Sequence, residues 1–352
     1  MNVKPLFKLM VEKKASDLFF TPFAPAKIKI DGKIMPVNKL ELTPKQVKQV
    51  AVELMDEEQL DQFMRELEID FAISVPGLGR FRVNVFQQRG NVSMVLRYIT
   101  ADLLTLDELG MPGQMKELVM LRRGLILMVG ATGSGKSTTL AAMINHRNEK
   151  TSSHIITVED PIEFLHPNKQ SIVNQREIGL DTKSYSRALK SAMRAAPDVL
   201  QIGEIRDRES MQSALDMAST GHLVLGTLHA NNAPETLDRI INMFPTEQHG
   251  QVFMNLANYL RAILSQRLVR DRNGKRVAAV ELMINTPHIK DLILKGDISE
   301  VKDALRDSGE KGMQNFDEAL LDLYKNGTIT LEEAMSHADS RANLEAKVNF
   351  GG

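Results

Sequence analysis

The residues Gly130-Ala131-Thr132-Gly133-Ser134-Gly135-Lys136-Ser137-Thr138 directly follow an apolar run at 125–129. Glycine, four residues, then Gly-Lys-Ser is the spacing of a phosphate-binding loop, and it stands where that chemistry requires, between a strand and a helix. The glycines let backbone N–H groups curl around phosphate oxygens, and the helix N-terminus adds the positive end of its dipole. Lys136 would reach the β- and γ-phosphates, and the Ser137 hydroxyl would ligate Mg²⁺. Four fixed positions match by chance in roughly 1 in 100 chains of this length. A glycine-rich turn without a ligand would leave Lys136 unexplained.

A phosphate loop also needs a carboxylate on a neighbouring strand to hold the metal's water shell, and a group that orients water. The stretch "APDVLQIGEIRD" offers the first, because an apolar strand at 199–202 ends in Gly203-Glu204. Gln201 is the polar residue of that strand and is expected to face away from the core. The stretch "TVEDPIEF" places Glu159, Asp160 and Glu163 just past a strand at 155–158. That is the edge where open α/β sheets bind ligands; an acidic surface loop is the alternative. In "TGHLVLGTLHANNA", His222 and His229 flank one strand. They could sense a γ-phosphate, or they could be structural.

These residues need elements to hold them. "MNVKPLFKLMVEKKASD" predicts a short amphipathic helix and no signal peptide, since Lys8 and Glu12 interrupt any apolar core. Residues 27–37 alternate around Asp31-Gly32, a hairpin signal. "TPKQVKQVAVELM" predicts a helix with Thr43 as cap, Pro44 first and Gln46 three residues on. Residues 69–99 predict a strand meander with turns at 76–79 and 89–91. This first region, 1–99, carries no nucleotide motif, and residues 100–114 form a glycine- and proline-bearing join. Strands at 125–129, 155–158, 199–202 and 223–228 then alternate with helices from Lys136, near 185–194 and over 208–219. Such alternation gives an α/β fold with a parallel sheet covered on both faces. That core is expected over 115–285, with a helical region over 286–352. Helical patterns dominate from Ala233 onward, including "LDRIINMF", "NLANYLRAILSQRL" and "MQNFDEALLDLY".

Composition narrows the function. A length of 352 residues suits about two domains. The absence of cysteine removes disulfides and thiolate zinc sites, and none of the 8 histidines stands three or four residues from another. A net charge of −1 marks no general affinity for nucleic acid or anionic membrane. No apolar stretch approaches the ~18 residues of a membrane span, so a cytoplasmic protein is expected.

In order, the phosphate loop, "TVEDPIEF", "LQIGEIRD" and "TGHLVLGTLHANNA" resemble the Walker A, Asp box, Walker B and His box of the secretion ATPases, hexameric motors of type II/IV secretion and type IV pili. "ASDLFF", "GRFRVNVFQQRG" and "GMQNFDEALLDLY" extend the resemblance over nearly the whole chain and point to the pilus retraction branch, of PilT and PilU types. The resemblance implies a small PAS-like N-terminal α+β domain, then a RecA-like phosphate-loop ATPase domain with a helical C-terminal region. It implies ATP and Mg²⁺ as cofactors. Glu163 would be the general base, Glu204 would hold the metal through water, and His229 would sense the γ-phosphate. Arg82 and Arg97 match strand positions from which the small domain supplies arginines to nucleotide, often across a subunit boundary. Arg194, Arg206 and Arg239 are further basic residues in or beside the motifs.

The same resemblance implies a homo-hexamer at the cytoplasmic face of the inner membrane, at the pilus base, driving retraction and twitching motility. Its partners would be a PilT-type ATPase and a PilC-like platform protein, with no nucleic acid. The lack of a four-cysteine zinc module favours retraction over assembly. His288-Ile289-Lys290 stands where the PilT type has Ala-Ile-Arg, and an acidic insert follows; both lean to the accessory PilU type. Two other functions fit the loop itself. A hexameric nucleic-acid motor is opposed by the near-neutral charge and the 5% aromatic content. A nucleotide-dependent adaptor with little turnover would carry the same motifs.

Overall fold

The computed structural model describes residues 3–30, 32–306 and 312–350. The chain forms two compact units, Met1–Asp102 with Glu163–Leu165, and Leu103–Ile162 with His166–Gly352.

In the first unit, α1 (Lys4–Glu12) precedes β1 (Asp17–Phe20), β2 (Pro25–Ile30) and β3 (Lys33–Glu41). Helices α2 (Pro44–Leu54) and α3 (Glu57–Glu66) follow, then the meander β4 (Glu68–Val75), β5 (Gly79–Gln88) and β6 (Asn91–Ile99). The six strands make one sheet in the order β3-β2-β1-β6-β5-β4. The expected cap of α2 forms: Gln46 N–H donates to Thr43 Oγ1 at 3.3 Å, and Thr43 N–H donates to Gln46 Oε1 at 2.8 Å. Alternation along β5 buries Phe81, Val83 and Val85, and Phe81 stacks on Phe7 of α1 with centroids 4.8 Å apart. Residues 163–165 belong here because Phe164 bridges Thr100 and Leu165 N–H donates to Thr100 O at 3.0 Å.

The second unit begins with α4 (Gln114–Val119), β7 (Gly124–Val129), α5 (Lys136–Lys150), β8 (His154–Glu159) and β9 (Ile172–Glu177). It continues through α6 (Tyr185–Ala192), β10 (Val199–Ile202), α7 (Arg208–Ser219), β11 (Leu223–Leu228), α8 (Ala233–Asn242) and α9 (His249–Tyr259). Strands β12 (Leu260–Arg270) and β13 (Arg276–Ile284) precede the helices α10 (Pro287–Lys295), α11 (Ile298–Arg306), α12 (Phe316–Lys325), α13 (Leu331–His337) and α14 (Arg341–Phe350). The seven-stranded sheet runs β13-β12-β7-β11-β10-β8-β9. It is parallel except for β13, which pairs antiparallel with β12.

Successive residues of β7 feed opposite faces. Leu125, Leu127 and Val129 pack with α6 to α11, whereas Ile126 and Met128 pack with α4 and α5. A strand covered on both sides has no polar face, so its sequence is a continuous apolar run. Gln201 does not face away from the core as expected. It lies on the α5 side of β10, only 6% exposed, and its Oε1 makes no hydrogen bond.

The stretch "LRAILSQRL" is not helical. Helix α9 stops at Tyr259 and the chain enters β12, with Leu264 opposite Met128 of β7 and Leu282 of β13. Leucine, arginine, alanine and glutamine favour helix locally. Pairing on both edges and burial on both faces override that preference, and such burial leaves no period-two signal. The next residue after Gln266 faces the other way: Arg267 stacks on Phe316 at 3.8 Å and donates to His337 O and Asp339 Oδ1, tying α12 and the end of α13 onto the sheet. Residues 307–311 of the acidic insert lie outside the described residues. Among the described residues, no helix is long and apolar enough to cross a membrane.

Candidate nucleotide site

The loop between β7 and α5 turns on Gly130, Gly133 and Gly135, all at positive φ (148°, 78° and 88°). Side chains rarely adopt that backbone, so glycine is required. Gly135 is also the N-cap of α5 and brings no side-chain acceptor, which leaves the first-turn N–H groups for an anion. Lys136 Nζ donates to Gly130 O at 2.7 Å and Ala131 O at 2.9 Å, so the amine is folded back over its own loop. A phosphate has the charge and acceptors to take over those donors. Ser137 and Thr138 occupy the first turn of α5, and Ala131 and Thr132 complete the exposed rim.

The parallel register carries β10 and β11 to the same edge. Glu204 follows β10, and its carboxylate is held by Arg206 at 2.6 Å and by His229 Nε2 at 3.2 Å. The Arg206 hydrogen bond first, then the charges of Arg206, His229 and Lys136, keep the Glu204 carboxyl below its ordinary range. His229 follows β11, and Arg239 of α8 donates to its backbone carbonyl at 2.7 Å. Lys136, Glu204, Arg206, His229 and Arg239 therefore converge at one sheet edge. That edge offers cationic groups for phosphate beside a carboxylate whose pKa they depress.

Other expected residues are placed differently. Glu159 is buried and accepts from Thr157 Oγ1 at 2.6 Å and Gln175 Nε2 at 3.1 Å, whereas Asp160 is exposed. Glu163 is exposed and belongs to the first unit. Arg82 and Arg97 face each other across β5 and β6 of that unit, where Arg82 pairs with Asp70 at 3.5 Å and Arg97 with Asp17 at 2.8 Å. His222 is not beside the loop. It precedes β11 at the opposite sheet edge, near the start of β7, and its Nδ1 lies 3.1 Å from Met217 O. Arg194 likewise follows α6 at the edge where β8 and β10 begin; it is exposed. A strand has two ends, and flanking one does not put both residues at the same site.

The motifs also passed over two side chains. Tyr185 opens α6, and its hydroxyl stands 3.1 Å from where a Cβ on Gly203 would be. Burial, followed by the charge of Asp160, keeps its phenol well above the ordinary value, so it remains a hydrogen-bond donor beside Glu204 and Glu159. No sequence spacing marks it.

Glu281 of β13 is the second. Its Oε1 accepts from Ala233 N–H at 2.8 Å and Ser265 Oγ at 3.0 Å, fixing the start of α8 just past His229. Burial pushes its carboxyl up to about 7. The folded chain thus binds this proton more tightly than the unfolded one, and stability falls as pH rises from about 4.5 to about 7, then levels off. Glu281→Gln keeps an acceptor for both donors and should flatten that slope. Urea melts at pH 5 and pH 8 should show the variant gaining on the order of 2–3 kcal/mol on wild type between them. Parallel pH dependences would refute this assignment.

A phosphate loop between the first sheet strand and its helix, with an acidic strand end beside it, defines a phosphate-loop nucleotide-binding protein. The chain belongs to the type II/IV secretion system protein family, whose model matches residues 2–286. It is 50% identical to the type IV pilus ATPase PilU of Pseudomonas aeruginosa, over 100% of this chain and 92% of that protein. It is 42% identical to the type IV pilus retraction ATPase PilT of the same organism, over 98% of this chain and all of that one. The crystal structure of the pilus retraction motor PilT with bound ADP matches with a TM-score of 0.91 at 42% identity, covering 98% of this chain and 99% of that one.

Proposed function

We propose that this chain is the subunit of a Mg-ATP-hydrolysing motor that powers type IV pilus retraction. The observation that carries the reading is the convergence of Lys136, Glu204, Arg206 and His229 beside the phosphate loop. Full-length similarity to pilus ATPases supports the use to which the energy is put.

In this reading Lys136 leaves the loop carbonyls and binds the β- and γ-phosphates, with loop N–H groups on the remaining oxygens. Bound Mg²⁺ supplies charge neutralisation at the phosphates. Among the described residues no cluster of three or more His, Asp or Glu is suited to grip a metal. Ser137 and, through water, Glu204 would therefore hold an ion that arrives with the nucleotide. Glu163 takes the proton of the attacking water as its oxygen bonds to the γ-phosphorus and the bond to the β–γ bridging oxygen breaks. His229, already on Glu204, registers loss of the γ-phosphate. Arg82 and Arg97 serve the nucleotide of a neighbouring subunit in a homo-hexamer. Glu159 and Asp160 support the acidic edge.

The higher identity to PilU, with His288-Ile289-Lys290 in α10, supports an accessory motor beside a PilT-type ATPase, acting on a PilC-like platform protein at the cytoplasmic face of the inner membrane. Steady-state hydrolysis by the purified protein tests the enzyme reading. Phosphate release at about 1 s⁻¹ or faster, requiring Mg²⁺ and indifferent to added DNA, is expected. Nucleotide binding with turnover slower by orders of magnitude would favour an adaptor, and stimulation by DNA a nucleic-acid motor.

A further inference from the structure

We propose that Gln266 is a positioning residue that locks the phosphate loop in its anion-accepting conformation; the inference rests on the loop's being a nucleotide site. Gln266 lies on β12, which runs parallel to β7 with Ser265 opposite Val129, the last residue before the loop. Its side chain is on the α5 side of the sheet and is 3% exposed. Nε2 donates to Ser134 O at 2.9 Å, and Oε1 accepts from Thr139 Oγ1 at 2.8 Å. One amide thus joins the loop to the first turn of α5.

The consequence follows from peptide geometry. In a trans peptide the C=O and N–H point in opposite directions. Holding Ser134 O toward β12 therefore turns the N–H of Gly135, in the same peptide, away from β12. That N–H is one of the donors a phosphate loop presents to its anion. With Gln266 removed, the peptide is free to rotate, and the loop spends part of its time with a carbonyl where a donor is needed.

Two glycines have a second reason to be glycine. A Cβ on Gly130 would stand 2.5 Å from Gln266 O, and one on Gly135 would stand 2.8 Å from Gln266 Nε2. Both distances are too short for real atoms, so the loop lies directly against this residue. The glycine spacing serves the phosphate on one side and Gln266 on the other. A ligand whose competent loop is only fractionally populated binds more weakly by that fraction, so affinity is the quantity that reports the lock.

The test compares wild type, Gln266→Glu and Gln266→Met in MgADP titrations and in kcat and KM for ATP, at pH 6 and pH 8. Glutamate keeps the shape and the acceptor for Thr139, but as a carboxylate it opposes Ser134 O. When protonated it can donate again, and burial favours that form. At pH 8, Kd and KM should rise about tenfold in both variants, with kcat changed much less. At pH 6, Gln266→Glu should recover most of the loss relative to wild type, and Gln266→Met should recover none. A structural role alone would lower melting temperature without that pH-dependent split. Variants equal to wild type in Kd and KM at pH 8, or a Gln266→Glu defect unchanged at pH 6, would overturn the inference while leaving nucleotide binding intact. A wild-type protein that does not bind MgADP would overturn the nucleotide reading itself, and this inference with it.

Discussion

Lys136→Ala is expected to abolish detectable ATP turnover, with kcat/KM falling by about 100-fold or more. The Lys136 amine is the cation folded over the loop itself. It rests on Gly130 O and Ala131 O, two acceptors that a phosphate outcompetes because it is anionic. Removing one preorganised donor from developing transition-state charge commonly costs about 10²–10³ in rate. Loss of nucleotide affinity should accompany it, since in the proposed reading the same amine would contact the ground-state phosphates. Isothermal titration with MgADP and a steady-state assay check both. Turnover within a few-fold of wild type would remove Lys136 from the site.

Glu163→Gln should separate binding from chemistry. The amide cannot accept the water's proton, so turnover should fall by about 10²–10⁴-fold while MgATP remains bound. The alternative base is Glu204, and its surroundings argue against it. Arg206 and His229 hold its carboxyl below the ordinary range, which makes it a weak proton acceptor and a durable negative charge. A depressed pKa suits the holding of a metal's water shell better than proton abstraction. Single-turnover assays on Glu163→Gln and Glu204→Gln decide between them. A larger loss of the chemical step in Glu204→Gln, with MgATP still bound, would exchange the two roles.

The loop, the four parallel strands at 125–129, 155–158, 199–202 and 223–228, and the capping box at Thr43 were legible because each carries a local rule. Glycine spacing, buried apolar runs and a Thr-x-x-Gln pattern all act within a few residues of chain. The strand β12 was illegible for the opposite reason. Its residues favour helix locally, and only pairing with β7 and β13 makes it extended. Gln266 was lost with it, although its partner Ser134 is 132 positions away and no local pattern could link them. Glu281 and Tyr185 were missed similarly, because burial against a distant segment gives each its character. His222 and Arg194 lie away from the loop, which the motifs could not tell: motif membership does not say which end of a strand a residue occupies, and the register of the sheet does.

The most direct test of a retraction motor follows fluorescently labelled pili in cells whose only retraction ATPases are this protein and a PilT-type partner with a dead phosphate loop. Retraction that occurs with wild-type protein and stops with Lys136→Ala is the predicted result, because ATP turned over at this loop would then be what moves the pilus. Equal retraction with the Lys136→Ala protein, or none with the wild type in cells that assemble pili normally, would contradict the account.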